Sequence, residues 1–236
     1  MGVHAMLEAD QVSVRYGKFL AVERASLSLA AGECVALIGP NGHGKSSFVS
    51  ALCGLNARQG VVRVNGAPLP ARDPKAAVRA GLVLVPERRH LFPELSVRDN
   101  VLLGAYAKTR RVRADRAFQD VAWVLDVFPE LSTHVDQLAG TLSGGQQQMV
   151  ALARAMAAEP RIIVLDEPCL GLAEAVSRRV YEWLAMMAER DLTILLVEEN
   201  PVQALQVAGR AVEMYKGVLE DPAVVAAQQA AEVGAS

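Results

Sequence analysis

The chain has 236 residues, 52% of them hydrophobic and 21% charged, enough to bury a large core in one domain or in a domain with an embedded subdomain. With 24 Lys+Arg against 26 Asp+Glu the formal charge is -2, so there is no global basic field to hold nucleic acid or anionic lipid. The local basic cluster Arg110, Arg111 and Arg113 reads as a solvated helix face.

Residues 1–10 carry no basic stretch followed by an apolar one, and no later segment reaches the ~18 uninterrupted apolar residues of a membrane span. The expectation is a chain neither secreted nor integral to a membrane. Residues 12–16 and 26–29 alternate in polarity, as strands of a half-solvated antiparallel sheet do. Cys34–Ile38 is a continuous apolar run bounded by Gly32 and Gly39, the pattern of a central strand covered on both faces. Residues 162–165 and 192–197 repeat that pattern, and between them Leu172, Val176, Val180, Leu184 and Met187 recur at helical spacing. Strand, helix, strand in this order predicts a parallel α/β core with helices on its faces. Over residues 93–158 the apolar positions are spread in helical fashion with no strong strand run, which predicts a helical subdomain inserted into that core. The expected division is residues 1–92 and 159–220 for the core with its antiparallel subdomain, 93–158 for the helical subdomain, and 221–236 for a C-terminal tail. Cys34, Cys53 and Cys169 read as reduced thiols, and His4, His43, His90 and His134 form no paired ligand spacing with them, which argues against a structural zinc.

Gly39-Pro40-Asn41-Gly42-His43-Gly44-Lys45-Ser46 lies directly after the apolar strand and before the helix-patterned residues 47–55. That is the context of a phosphate-binding P-loop. Gly39, Gly42 and Gly44 permit a tight backbone whose N–H groups converge on phosphate oxygens, and the following helix, opened by Ser47, presents its positive end. Lys45 is placed to reach the β- and γ-phosphates, and the Ser46 hydroxyl to ligate Mg2+. His43 fills a free position of the pattern and is read as a backbone-shaped loop residue rather than a catalyst or metal ligand.

Two further motifs follow. Leu142-Ser143-Gly144-Gly145-Gln146 precedes the helix-patterned residues 147–157, so that Ser143 and Gly145 offer a hydroxyl and a bare N–H at a second helix start. Ile162-Ile163-Val164-Leu165 carries Asp166 and Glu167 to the C-terminal edge of the sheet, where ligands of open α/β sheets bind. Asp166 is expected to hold Mg2+ directly or through water, and Glu167, projecting elsewhere, to orient and deprotonate a water. Two phosphate-binding helix starts would not easily converge on one nucleotide within a monomer, so a head-to-tail pair of chains clamping two nucleotides is the economical arrangement.

In this order the three motifs make the chain resemble the ATP-binding subunit of an ABC transporter, over essentially its whole length up to about Gly217. The resemblance implies a P-loop NTPase (RecA-like) α/β core with an antiparallel β subdomain and an inserted helical subdomain, with ATP and Mg2+ as cofactors. It implies that Tyr16, in Val14-Arg15-Tyr16-Gly17, stacks on adenine. It further implies an ATPase whose dimer closes on ATP and opens on hydrolysis, driving separate membrane permease subunits through the helical subdomain and the Glu87 loop. The other half of that dimer is a second, similar cassette or a second copy. The chain would sit peripherally on the cytoplasmic face of the inner or plasma membrane, touching the membrane through the permeases only and no nucleic acid. Residues 84–95, 169–173 and 195–205 are similar to the ATPase subunits of branched-chain amino acid importers, whose relatives take up urea or short amides. An exporter subunit and a non-transport ABC ATPase are the alternative readings; proteins of the latter kind usually carry coiled-coil arms, a duplicated cassette or basic extensions.

Two positions depart from the usual pattern. Glu87 stands where most of the family has Gln, as in the branched-chain group, and a carboxylate there can still ligate Mg2+. Glu199 stands where most have a histidine contacting the γ-phosphate. A carboxylate ~4 Å from a phosphate charge costs about 4 kcal/mol at an effective dielectric near 20, so Glu199 is expected to turn away, bind a cation or be protonated. The site on this chain's own P-loop is then expected to hydrolyse slowly, while a partner cassette with a histidine supplies the faster one.

Overall fold

Polarity alternation, and its loss, separates two sheets. Strands β1 (Ala5–Tyr16) and β2 (Phe19–Ala30) form a long hairpin that alternates buried and solvated positions, with Leu7, Ala9, Val12 and Val14 facing inward beside Val22, Ala25, Leu27 and Leu29. With β4 (Gln59–Val64) and β5 (Ala67–Pro68) they make a four-stranded antiparallel sheet in the order β2-β1-β4-β5. The second sheet holds β3 (Cys34–Ile38), β6 (Leu82–Val85), β7 (Ile162–Asp166), β8 (Thr193–Glu198), β9 (Arg210–Tyr215) and β10 (Val218–Glu220) in the order β10-β9-β3-β8-β7-β6. All its neighbours are parallel except β10 against β9. These strands belong to a computed structural model that describes residues 5–106 and 121–220. The cluster Arg110, Arg111 and Arg113 and the tail 221–236 lie outside the described residues.

The parallel sheet is a partition between two cores. On β3, β7 and β8 the residues Val35, Leu37, Ile162, Val164, Leu195 and Val197 face the antiparallel sheet and helix α1 (Lys45–Leu52). Their neighbours Ala36, Ile38, Ile163, Leu165, Ile194 and Leu196 face the other core. Burial on both faces is why these strands read as continuous apolar runs. The second core is shared with α3 (Val97–Ala105), α4 (Val124–Val127), α5 (Gly144–Ala157) and α6 (Glu174–Ala188). Helices α3 and α5 approach closely at Gly104, where a Cβ would run into the carbonyl oxygen of Arg154. The short helices α2 (Pro74–Arg79) and α7 (Pro201–Ala204) are capped by Asp73 and Asn200.

The expected α/β architecture is present, with differences in extent. β1 begins at Ala5 and β2 at Phe19, beyond the alternating windows, because the ladder shifts register between Ala9 and Val12, beside the positive-φ residues Gln11 and Arg24, and a shift of this kind breaks the alternation along the chain. β4, β5, β9 and β10 carry no run long enough to stand out, and tertiary pairing makes them strands; β6, an apolar run of four between Gly81 and Pro86, is as long as residues 162–165 and was missed. Leu172 precedes its helix rather than opening it. The three cysteines are free and buried, and among the described residues no helix is long and apolar enough to cross a membrane.

Two polar contacts tie the layers. Arg210 Nε donates to Glu33 Oε1 at 2.6 Å, and the backbone N–H of Ala30 donates to Glu33 Oε2 at 2.7 Å, joining the end of β2 to β3 and β9. Burial raises the Glu33 carboxyl, but the Arg210 and Ala30 hydrogen bonds and the Arg210 charge outweigh it and hold it below its ordinary 4.5. At the end of β8, buried Glu198 accepts the Tyr181 hydroxyl of α6 at 2.9 Å.

A carboxyl depressed in the folded state adds stability above its unfolded pKa and loses it as pH falls through its folded value. Glu33→Gln should therefore destabilise by about 0.5–1 kcal/mol near neutrality, with the gap to wild type closing as pH falls from about 5 to 3, in urea unfolding curves. Tyr181→Phe removes the hydroxyl donor of the buried Glu198 carboxyl and leaves it the Glu199 backbone, and should cost about 1–3 kcal/mol in the same measurement.

Candidate active site

The glycine loop owes its shape to close backbone approaches. Gly39, at φ 140°, lies so near the Met214 carbonyl that a Cβ would overlap it. Gly44, at φ 104°, caps α1, and its missing Cβ makes room for the Ala21 carbonyl. Gly42, at φ 79°, has nothing within 4 Å of its Cβ position, so the middle of the loop faces open space. No side chain caps α1, which leaves the N–H groups of its first turn directed outward, an arrangement suited to an anion. Pro40 and Asn41 complete the loop, and the His43 ring turns toward Tyr215, with centroids 5.0 Å apart.

Lys45 opens α1 with its side chain only 3% exposed. Its Nζ donates to the carbonyls of Gly39 at 2.7 Å and Pro40 at 3.2 Å and to Asn41 Oδ1 at 3.4 Å, and it pairs with Glu167 Oε1 at 3.4 Å. Glu167 sits at φ 48° just past β7, its backbone N–H bonded to the Val197 carbonyl. Asp166, the last residue of β7, accepts the Ser46 hydroxyl at 3.3 Å. Burial pushes the Asp166 carboxyl up to about 6, with the Glu167 and Glu87 charges adding to it and the Ser46 bond and Lys45 opposing it. The two acidic residues thus point to different partners, as their adjacency at a strand end predicts.

This donor set fits a hard divalent cation. A buried carboxylate whose ionised form is disfavoured stands beside a hydroxyl oxygen, with further acidic groups close enough to be felt. Mg2+ typically takes one or two protein oxygens and completes its shell with water and phosphate, so it does not need the three-residue His/Cys/Asp/Glu clusters that are absent among the described residues.

Beside the loop is a cleft of about 160 Å³ lined by Tyr16, Phe19, Asn41, Lys45, Ser46 and Glu167. The Tyr16 hydroxyl donates to Ser47 Oγ at 3.3 Å and accepts from Asn56 Nδ2 at 2.8 Å, which fixes the ring against α1. Phe19, 65% exposed, is a second aromatic of this cleft that sequence reasoning missed; its position across the β1–β2 turn from Tyr16 was the available signal.

The remaining candidates divide. Glu199 does not turn away: its Oε2 accepts Asn41 Nδ2 at 3.0 Å, so the loop itself supplies a neutral donor to that carboxylate. Glu87 is felt at Asp166 and also lines a groove of about 380 Å³ with Arg88, His90, Pro93, Gly140 and Gln147. Arg89 and Arg154 lock that loop to α5: Arg89 Nε donates to Gln148 Oε1 at 3.0 Å and Arg154 Nη1 to the His90 carbonyl at 2.6 Å. Ser143, Gly144, Gly145 and Gln146 start α5 and are not among the residues lining the P-loop cleft. Ser143 and Gln146 form a reciprocal capping box, and Gly145 makes room for Val176 on α6, whose Cγ2 would lie 2.8 Å from a Cβ there.

Comparison with known proteins agrees with this geometry. The family described as ABC transporter matches residues 22–170. The chain is 38% identical over 216 residues to the high-affinity branched-chain amino acid transport ATP-binding protein BraG of Pseudomonas aeruginosa, covering 90% of each. It is 34% identical to the fructose import ATP-binding protein FrcA of Rhizobium meliloti, covering 89% of this chain and 85% of that one. In fold it is similar to a dimeric post-hydrolysis state of the ATP-binding cassette MJ0796 bound to ADP and Pi, with a TM-score of 0.80 at 24% identity over 91% of this chain and 97% of that one. With a P-loop whose lysine is paired to the acidic end of a neighbouring strand, on a fold shared with such cassettes, the chain belongs to the ABC transporter family as one of its ATP-binding, ATP-hydrolysing subunits.

Proposed function

We propose that this chain is the motor subunit of an ABC importer for branched-chain amino acids or related small amides. The observation that carries the motor reading is the meeting of Lys45 with Glu167 and of Ser46 with Asp166 at one edge of the parallel sheet. The solute reading rests on the similarity to BraG; the similarity to FrcA is why it extends no further than a small polar solute of this class.

In this reading the backbone N–H groups of Gly39, Asn41, Gly42, His43, Gly44, Lys45, Ser46 and Ser47 cradle the ATP phosphates, Pro40, which has no N–H, fixes the loop between Gly39 and Asn41, and Tyr16 stacks on adenine. Ser46 and Asp166, with Glu87 beside them, would hold Mg2+, which when bound neutralises phosphate charge. Phosphate oxygens compete with Glu167 for the Lys45 ammonium, and that exchange frees the Glu167 carboxylate to accept a proton from the attacking water. Glu199, held by Asn41, places negative charge near the γ-phosphate and slows this site relative to one with a neutral or cationic group. Ser143, Gly144, Gly145 and Gln146 belong to the nucleotide bound by the other cassette of a head-to-tail dimer, whether a second copy or a similar chain; the dimeric state of MJ0796 supports this arrangement.

The division into residues 1–92 with 159–220, 93–158 and 221–236 assigns permease docking to the helical part. Its support is the groove at the Glu87 loop, flanked by the exposed side chains of Phe92, Leu95 and Leu138. Docking there would make the chain peripheral on the cytoplasmic face of the membrane.

Glu167→Gln should lower kcat by at least two orders of magnitude while ATP still binds. Purified in detergent with ATP, that variant should bring down two permeases and a second cassette; reproducible recovery of a nucleic-acid or ribosomal partner instead would refute the importer reading. In the assembled complex Glu199→His should raise turnover, and an unchanged or lower rate would count against the slow-site reading.

A further inference from the structure

His43 occupies a position that the P-loop pattern leaves free, yet its side chain is built into a specific contact. Its Nδ1 accepts the backbone N–H of Lys216 at 3.2 Å, and its carbonyl accepts the N–H of Gly217 at 3.0 Å. The ring meets Tyr215 at 5.0 Å, tilted by 54°. Lys216 and Gly217 form the turn between β9 and β10, at φ 49° and 83°, the positive pair that a two-residue hairpin loop of this kind requires. The turn is anchored on its far side as well. The Gly217 carbonyl accepts the Glu23 N–H at 2.8 Å, and a Cβ on Gly217 would lie 2.8 Å from the Ala21 carbonyl. That same Ala21 carbonyl closes on Gly44, and the Met214 carbonyl of β9 closes on Gly39. The loop is therefore clasped from behind, at residues 39, 43 and 44, by the β9–β10 hairpin and β2.

We propose that His43 is a positioning residue for nucleotide binding: by accepting the Lys216 N–H it docks the β9–β10 turn behind the P-loop and holds the loop's N–H groups in their phosphate-binding arrangement. This rests on the reading of residues 39–46 as the nucleotide cradle. A loop with glycines at 39, 42 and 44 has wide backbone freedom, and donors that must be ordered when the ligand arrives bind it less tightly than donors already in place. His43 supplies the constraint between two of those glycines. A backbone N–H only donates, so Nδ1 presents its lone pair and the neutral ring carries its proton on Nε2. The side chain acts through the loop rather than on the phosphates.

Full-length protein carrying His43→Ala, His43→Asn or His43→Gln is compared in ATP titration calorimetry, steady-state hydrolysis and thermal unfolding. Asn places Oδ1 where Nδ1 stands; Gln places its oxygen farther out. With one hydrogen bond removed, His43→Ala should raise Kd and KM for ATP about five-fold, with kcat and the melting temperature close to wild type. His43→Asn should restore ATP affinity although it lacks the ring, and His43→Gln should not. Lys45→Ala serves as the reference: wild-type ATP binding in that variant overturns the cradle reading itself, and the proposal with it. If Lys45→Ala loses ATP, the positioning role is overturned by wild-type affinity in His43→Ala, by Asn performing no better than Gln, or by kcat and melting temperature falling together with affinity.

Discussion

The Lys45 ammonium is the charge around which this molecule is arranged. A buried cation is costly unless it is paired and hydrogen-bonded, and here the compensation comes from two directions. The loop's own geometry turns the Gly39 and Pro40 carbonyls and the Asn41 side chain toward it. The sheet brings Glu167 from a strand that is not a neighbour of β3 but lies beyond β8. Both depend on strands that end at the same level, which the in-step parallel register of β3, β8 and β7 provides.

That register is secure because the sheet is covered on both faces. One core packs α1 and the antiparallel sheet against it, and the other packs the helical layer. A strand slipped by one residue would exchange the side chains of the two cores. The helical layer is in turn tied to the chemistry by a short path. Arg89 and Arg154 fasten the loop after β6 to α5, and Glu87 in that loop both lines the outer groove and raises the Asp166 carboxyl. A groove and an acidic strand end that share one residue leave little slack between them.

The acidic edge shows how burial separates like groups. Asp166, Glu167 and Glu198 are all buried near the ends of two adjacent strands. Asp166 has a hydroxyl partner from Ser46, Glu167 an ammonium from Lys45, and Glu198 a hydroxyl from Tyr181. Exposed Glu199 has the Asn41 amide. Each carboxyl has a different donor, which is how four acidic residues occupy one end of the sheet without leaving one of them unpartnered.

The local chemistry was legible in the residues. Continuous apolar runs marked β3, β7 and β8 because both faces of those strands are buried, and Gly39 to Ser46 marked the phosphate loop because its backbone conformation admits few other sequences. Leu142 to Gln146 marked a second helix start, which the structure forms with a local capping box between Ser143 and Gln146. What joins distant segments was not legible: the pairing of β4 through β6 and of β9 with β10, the turn of Glu199 toward Asn41, the place of Phe19 beside Tyr16, and the contact of His43 with Lys216. The sequence by itself determined which residues could cradle a phosphate, because backbone freedom and the charge of a side chain belong to the residue. Only the tertiary structure decided what stands behind and opposite them, because those contacts are set by strand order and packing between segments far apart in the chain.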